Sequence, residues 1–141
     1  MIAGLIFAAS LAFAEPTEPI DCTIQSLYSD NEPEEPREPD WVWEGSVLTK
    51  SSGVNYGPLG RETYYNLPMG RCIDIMRSYG YSTEEYPYWV RDDGVKMMGD
   101  YVMVAANTGL YSKGTIIPTS LGMAIVVDHC PSGAIDICVT W

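Results

Sequence analysis

The stretch VVDHCPSGAIDICV, from Val126 to Val139, decides the fold class and raises the question of function. It has the character of two strands rich in β-branched residues, separated by a Pro-Ser-Gly turn. Asp128 and Asp136 lie one in each strand, among apolar neighbours. Because an unpaired carboxylate costs several kcal/mol to desolvate, this placement indicates a paired-carboxylate site rather than two structural positions.

Segments with the same strand-like character occur upstream, and Gly or Pro separates each from the next. Strands are predicted at Thr63–Leu67, Asp100–Ala106, Gly114–Ile117, Met123–Asp128 and Ala134–Val139. The stretch MGRCIDIMRSYG has apolar residues at helical spacing and ends at Gly80, which predicts a helix. A capping-box pattern at Ser82–Glu85 predicts one more helical turn, and Asp93-Gly94 predicts a hairpin. We therefore predict a mainly β fold, a small barrel of mixed strand directions with one or two short helices.

The chain has 141 residues and a formal net charge of −11, and most of the negative charge lies near the N-terminus. Ten of the 19 acidic residues fall between Glu15 and Glu44, alongside a single base, Arg37. From Gly45 onward the chain is close to neutral, so it lacks the basic excess that follows a phosphate backbone. Nucleic-acid binding is not expected, and the length suits one domain.

The first 14 residues, MIAGLIFAASLAFA, form an apolar run whose A-x-A ending is typical of signal-peptide cleavage. The run begins without Lys or Arg, so a late gene start and a short membrane anchor are the alternatives. It is shorter than the roughly 20 apolar residues that span a bilayer. We predict a leader at 1–14, an extended acidic Pro-rich linker at 15–45 and one domain at 46–141. The protein would be secreted or held at the cell surface, with no membrane span in the mature form.

Four cysteines are present, and export would permit disulfides. Cys130 and Cys138 flank the Pro-Ser-Gly turn and are predicted to face each other across a hairpin, which would leave Cys22 to pair with Cys72. The alternative is a metal site with ligands from Asp128, His129, Cys130 and Cys138. That spacing matches no zinc pattern, and adjacent strand residues point to opposite faces. No metal and no Cys–His nucleophilic pair are predicted.

The longer stretch VAANTGLYSKGTIIPTSLGMAIVVDHCPSGAIDICV resembles the three-aspartate (3D) domain of bacterial and phage cell-wall enzymes. The family pattern is A-x-D, then G-T seven residues on, then A-x-x-D-T-G-G, then R-I-D inside a final strand, and a T-A-Y strand opens the domain. The matching positions are Asn107 for the first aspartate, Gly114 and Thr115 for the G-T, Asp128 and Asp136 for the other aspartates, and Thr63 and Tyr65 for the opening strand. The chain is similar in this to the membrane-bound lytic transglycosylase A core and to stationary-phase survival proteins.

The resemblance implies a double-psi β-barrel and a lytic transglycosylase that cuts the bond between N-acetylmuramic acid and N-acetylglucosamine in peptidoglycan glycan strands. Asp136 would act as general acid and then base, with Asp128 as its orienting partner. The substrate-binding residues would be Asn107, Thr115, Thr63 and Tyr65. Apolar neighbours and a nearby carboxylate would both raise the pKa of Asp136, as an acid working near neutral pH requires. We predict a monomer that needs no cofactor.

The sequence also departs from the family pattern. Asn107 is a neutral amide, Asp128-His129-Cys130-Pro131 replaces D-T-G-G, and Ala134 replaces a basic residue. With one carboxylate missing, weaker electrostatic repulsion would raise the pKa of Asp136 less, which would lower activity. Two alternatives therefore stay open: a non-catalytic β-barrel that binds cell-wall glycan or a surface partner, and a scaffold. Asp128 would then cap a turn and Asp136 would accept backbone N–H groups. The Tyr-rich run from Tyr64 to Trp89 would form core packing or a platform for sugar rings.

Overall fold

The structure is a computed structural model that describes residues 41–141, so the predicted leader at 1–14 and most of the linker at 15–45 lie outside the described residues. The fold is mainly β. Its elements are β1 (Asn55–Gly57), β2 (Gly60–Tyr65), α1 (Gly70–Ser78), β3 (Tyr88–Val90), β4 (Lys96–Met98), β5 (Tyr101–Ala106), β6 (Ile116–Thr119), β7 (Gly122–His129) and β8 (Ile135–Cys138). In this part of the chain no helix has the length and apolar character needed to cross a membrane.

The strands and the helix predicted from the sequence are confirmed, with boundaries displaced by a few residues. The predicted hairpin joins β3 to β4, and Gly94 occupies its turn with φ of 83°, a conformation that glycine adopts without strain. At Ser82–Glu85 the chain makes the single turn that the capping-box pattern predicts. Tyr86 N donates to Ser82 O at 2.9 Å and Glu85 N donates to Ser82 Oγ at 3.2 Å. Pro87 follows at once and cannot continue a helix.

One mixed sheet contains all eight strands, in the order β1-β2-β8-β5-β4-β3, with β7 paired to β5 and β6 paired to β7. Strand β5 pairs with three strands, because different parts of its length pair with different neighbours. Its first residues pair with β4 and its last residues pair with β8, while β7 runs parallel to it along the other edge. The two central pairings, β2 with β8 and β5 with β7, are parallel.

Apolar side chains fill both faces of the sheet, as the two-residue period of a strand requires. The first core contains Val102, Val104 and Ala106 of β5 together with Ala124, Val126, Ile135 and Ile137. The second core contains Met103, Ile125, Val127 and Cys138, covered by Met69 and Met76 from the α1 region. We call the face with the second core the helix side, because α1 packs there.

A buried side-chain contact links the two ends of the strand path β2-β8-β5-β7-β6. Glu62 of β2 is 1% exposed, and its carboxylate accepts hydrogen bonds from Ser120 N at 2.8 Å and from Ser120 Oγ at 2.5 Å. Ser120 belongs to the turn between β6 and β7. The pairings among the described strands leave the sheet open, with no backbone ladder between β2 and β6. Closure into a double-psi barrel therefore stays a prediction.

Candidate functional site

The two predicted catalytic carboxylates lie on one row that crosses four strands on the helix side. Asp136 of β8 is directly opposite Ala105 of β5 on one edge and Thr63 of β2 on the other. Asp128 of β7 is also opposite Ala105. Since paired residues project from the same face, the order across the row is Asp128, Ala105, Asp136, Thr63. Neighbouring strands are about 4.8 Å apart, so the two aspartate backbones are separated by roughly two such spacings, with only a methyl group between them.

A β-bulge in β7 brings Asp128 into this row. Val104 pairs with Val126, but the next residue of β5, Ala105, pairs with Asp128, so Val127 is an extra residue on β7. Without the bulge Val127 would face Ala105 and the Asp128 carboxylate would project from the opposite face. No feature of the sequence around Val127 indicates this shift.

Asp136 is half-buried, and Thr63 Oγ1 donates a hydrogen bond to its Oδ1 at 2.8 Å. Burial raises the pKa of Asp136, and the hydrogen bond from Thr63 opposes that rise. The predicted rise in pKa by desolvation agrees with the structure. The predicted repulsion by Asp128 is not among its causes, because the intervening strand β5 holds the two carboxylates apart. The Thr63 contact was expected only as substrate binding, and here it acts on the acid itself.

Asp128 has a different environment, shared with a thiol. Its Oδ1 accepts a hydrogen bond from His129 N at 2.8 Å. Burial first, and then the negative charge of Asp128, raise the pKa of the neighbouring Cys72 thiol on α1. Sequence reasoning placed Cys72 only as a partner for Cys22, which lies outside the described residues. Helical spacing placed Cys72 on the same side of α1 as Met76, but nothing in the sequence located Asp128 beneath it.

Tyr65, a predicted substrate-binding residue, is part of the helix side but is engaged within the protein. Cys138 Sγ donates to the Tyr65 hydroxyl at 2.9 Å. Burial raises the pKa of Tyr65 and also that of Cys138. Nearby, the ammonium group of Lys96, 5% exposed, donates to Asn66 Oδ1 at 3.0 Å and to Leu67 O at 2.7 Å. These contacts hold the end of β2 where the chain leaves for α1.

Asn107 and Thr115 serve as turn residues at the edge of the site. Asn107 Oδ1 accepts from Gly109 N at 2.9 Å, which closes a turn after β5. Thr108 N donates to His129 Nδ1 at 3.3 Å, so this loop is tied to the end of β7. Thr115 N donates to Ser112 O at 3.0 Å, and Thr115 O accepts from Val126 N at 3.0 Å. The structure does not bring either side chain into the row of Asp128 and Asp136.

The predicted disulfide between Cys130 and Cys138 is wrong, because both thiols are free. The prediction assumed that β7 and β8 form a hairpin, but β5 lies between them in the sheet. Cys138 is buried against Tyr65, whereas the Sγ of Cys130 is 3.1 Å from Ser132 Oγ in the turn. The rejected metal alternative used the same two cysteines. Across residues 41–141 no group of three or more His, Cys, Asp or Glu side chains is placed to hold a metal ion.

The Tyr-rich run divides between core and surface. Tyr65, Tyr81 and Tyr86 pack against the second core, and the rings of Tyr81 and Tyr86 meet edge to face at 5.0 Å. Tyr88 and Trp89 on β3 are exposed. Tyr88 is opposite Met98, a residue of the second core, so it projects from the helix side. A separate open groove of about 430 Å³, with Leu48, Leu121 and Trp141 in its lining, contains none of the predicted site residues.

Comparisons of the chain with protein-family models, with curated proteins and with solved structures gave no match.

Proposed function

We propose that this chain is an exported peptidoglycan-cleaving lytic transglycosylase in which Asp136 is the general acid and base. The observation that carries the proposal is the Asp136 carboxyl group itself. It is half-buried, its pKa is raised by desolvation, and it is hydrogen-bonded by Thr63 in a row with a second carboxylate, Asp128. A carboxyl group that stays protonated towards neutral pH is what cleavage of a glycosidic bond requires.

In this proposal the contact with Thr63 assigns the acidic proton to one oxygen of Asp136. Thr63 Oγ1 donates to Oδ1, so the proton of the neutral carboxyl group resides on Oδ2. In the first step Oδ2 gives this proton to the glycosidic oxygen as its bond to C1 of the muramyl residue breaks. The muramyl C6 hydroxyl then attacks C1 and returns its proton to Asp136. The product is a 1,6-anhydro sugar, no water is consumed, and the acid is regenerated.

Asp128 is the partner of Asp136 in this proposal. The reaction passes through a transition state with positive charge near C1, which a carboxylate on the same face stabilises. Asn107 and Thr115 shape the adjacent loops, and Tyr65 supports the sheet beneath α1.

The test is a digest of purified peptidoglycan by the full chain, with the products analysed by mass spectrometry. We expect anhydromuropeptides from the wild type and none from Asp136→Asn. The matched control is Asp100→Asn, an exposed carboxylate in the turn between β4 and β5, which should digest like the wild type. Products with ordinary reducing ends would contradict the C6-hydroxyl step and replace it with attack by water.

A non-catalytic glycan-binding module is the second candidate, and one observation favours it. Asn107 stands at the first aspartate position of the resemblance, and its carboxamide oxygen is occupied by Gly109 N. If neither the wild type nor Asp100→Asn released products, but both sedimented with insoluble peptidoglycan as strongly as Asp136→Asn does, the binding module would be the correct function.

A further inference from the structure

Two basic side chains lie beside Asp128, and the mechanism above does not use them. Arg71 is exposed in the first turn of α1, one residue before Cys72. Lys113 precedes β6, and backbone hydrogen bonds hold its segment against β7. Gly114 N donates to Val126 O at 2.8 Å, and Val126 N donates to Thr115 O at 3.0 Å. Lys113 is therefore placed alongside the end of β7 that carries Asp128.

The charges of both residues reach the space beside Asp128. Burial and the Asp128 carboxylate raise the pKa of Cys72, and the positive charges of Lys113 and Arg71 oppose that rise. The two positive charges can lower the pKa of Cys72 only if they lie near its thiol. This agrees with the backbone contacts that place Lys113 beside the end of β7.

The other bases of the domain are engaged or remote. Arg91 is paired with Asp93, Lys96 is bound by Asn66 and Leu67, and Arg77 donates to backbone oxygens of Tyr81 and Ser82. Lys50 lies at the separate groove, and Arg61 is exposed on β2 beyond Thr63. Within residues 41–141 neither Lys113 nor Arg71 forms an ion pair with a carboxylate. Within the described residues, Lys113 and Arg71 thus place two positive charges beside the carboxylate of Asp128, at one end of the candidate site.

We propose that Lys113 and Arg71 form an anion-binding subsite beside Asp128 that receives a carboxylate carried by the muramyl residue of the substrate. The inference rests on the proposed function and adds which group of the substrate is recognised beside the cleaved bond: a carboxylate, which a neutral polymer of N-acetylglucosamine lacks. The muramyl unit is the one whose C1 reacts, so a charge contact there places the scissile bond between Asp128 and Asp136. Two sources supply such a carboxylate, the lactyl group of strands without peptides and the stem peptide of intact strands.

The experiment measures binding with the full chain carrying Asp136→Asn, so that bound glycan is not cut. The probes are peptidoglycan strands stripped of stems by an amidase, strands that keep their stems, and a neutral N-acetylglucosamine oligosaccharide. Lys113→Gln and Arg71→Gln are each added to this background, and Lys50→Gln is the control with the same loss of charge. An exposed charge contact corresponds to roughly two- to five-fold in affinity, and salt screens it.

We expect each of Lys113→Gln and Arg71→Gln to weaken binding of the acidic strands about two- to five-fold at low salt, with a smaller effect at high salt. Binding of the neutral oligosaccharide should not change, and Lys50→Gln should match its parent. A loss confined to stripped strands would assign the subsite to the lactyl carboxylate, and a loss confined to intact strands would assign it to the stem.

Equal losses on acidic and neutral glycans, or no loss on either acidic strand, would overturn the subsite. The proposed function would survive that result if the wild type still released anhydromuropeptides. If the wild type neither binds nor cuts any of the three glycans, the proposed function fails and the subsite fails with it.

Discussion

The hydrogen bond from Thr63 to Asp136 makes a prediction about pH. Thr63→Val removes the donor that opposes the rise in the pKa of Asp136, while the desolvation that raises it remains. The pKa of Asp136 should therefore rise further. Thr63→Ser keeps the hydroxyl and should leave the pKa close to that of the wild type. A carboxyl carbon titration followed by NMR measures both shifts directly.

Activity should follow the same direction. The acid must be protonated, so cleavage is present below the pKa of Asp136 and is lost as pH rises through it. In Thr63→Val the falling limb of the pH–rate profile should move to higher pH, and in Thr63→Ser it should stay in place. A limb that moves to lower pH in the valine variant would show that Thr63 does not stabilise the ionised form of Asp136.

Two of the three free cysteines in residues 41–141, Cys130 and Cys138, make a second prediction at the residue scale. Cys138 is fully buried, and burial raises the pKa of its thiol, so the reactive thiolate is scarce and out of reach. Cys130 is partly exposed in the turn. Brief treatment of the native protein with iodoacetamide should label Cys130 and leave Cys138 unlabelled until the chain is unfolded. Peptide mass spectrometry gives the sites, and a Cys130–Cys138 cross-linked peptide would restore the disulfide that the structure rejects.

At the scale of elements, local pattern predicted which segments are strands but not how they pair. Alternating and β-branched residues indicated β5 and β7 correctly, because side-chain period is a local property. The Pro131-Ser132-Gly133 turn predicted a hairpin of β7 and β8. Instead β5 lies between them, since parallel pairing of β5 with β7 buries apolar side chains on both faces. Contacts between residues so distant in sequence leave no local signature.

Substituting alanine for Gly57, next to Glu62, or for Gly70, at the start of α1, should change stability in opposite directions. A Cβ on Gly57 would lie 1.9 Å from Glu62 Oε1, whereas a Cβ on Gly70 would meet nothing within 4 Å. Gly57→Ala must displace a buried carboxylate, so we expect a loss of about 1–3 kcal/mol. Gly70→Ala should stabilise by about 0.4–1 kcal/mol, because alanine restricts the unfolded chain. Urea unfolding measures both, and an unchanged midpoint for Gly57→Ala would show that β1 yields at no cost.

At the scale of the whole molecule, the candidate site was predicted in part. Asp128 and Asp136 were chosen because carboxylates among apolar strand residues are costly unless they are used, and both lie on the helix side. Their alignment depends on the bulge at Val127, and the thiol of Cys72 reaches Asp128 because α1 packs over β7. Both features come from packing between distant parts of the chain, so neither could be predicted from the residues alone.

A buried side-chain network around Glu62 joins segments that are far apart in the sequence, and breaking it tests how the two ends of the sheet are held. Asn55 Nδ2 donates to Glu62 Oε2 at 3.1 Å, Ser120 donates to both carboxylate oxygens, and Leu48 N donates to Ser120 Oγ at 3.1 Å. These contacts join β1 and β2 to the β6–β7 turn, at the place where a closed barrel would need its last contact. If the network holds the two ends of the sheet together, its loss should lower the stability of the whole domain.

Glu62→Gln replaces one carboxylate oxygen with an NH2 group. If this group faces the Nδ2 of Asn55, two donors meet and a buried polar group loses its hydrogen bond. We expect the free energy of unfolding to fall by about 1–3 kcal/mol, seen as a lower urea midpoint with an unchanged slope. Glu44→Gln, at an exposed carboxylate, should have no effect. Ser120→Ala breaks the same network, so the double variant should lose less than the two single losses added together. Additive losses would mean that Glu62 and Ser120 stabilise the protein independently, and the side-chain link between β2 and the β6–β7 turn would then contribute little to its folding.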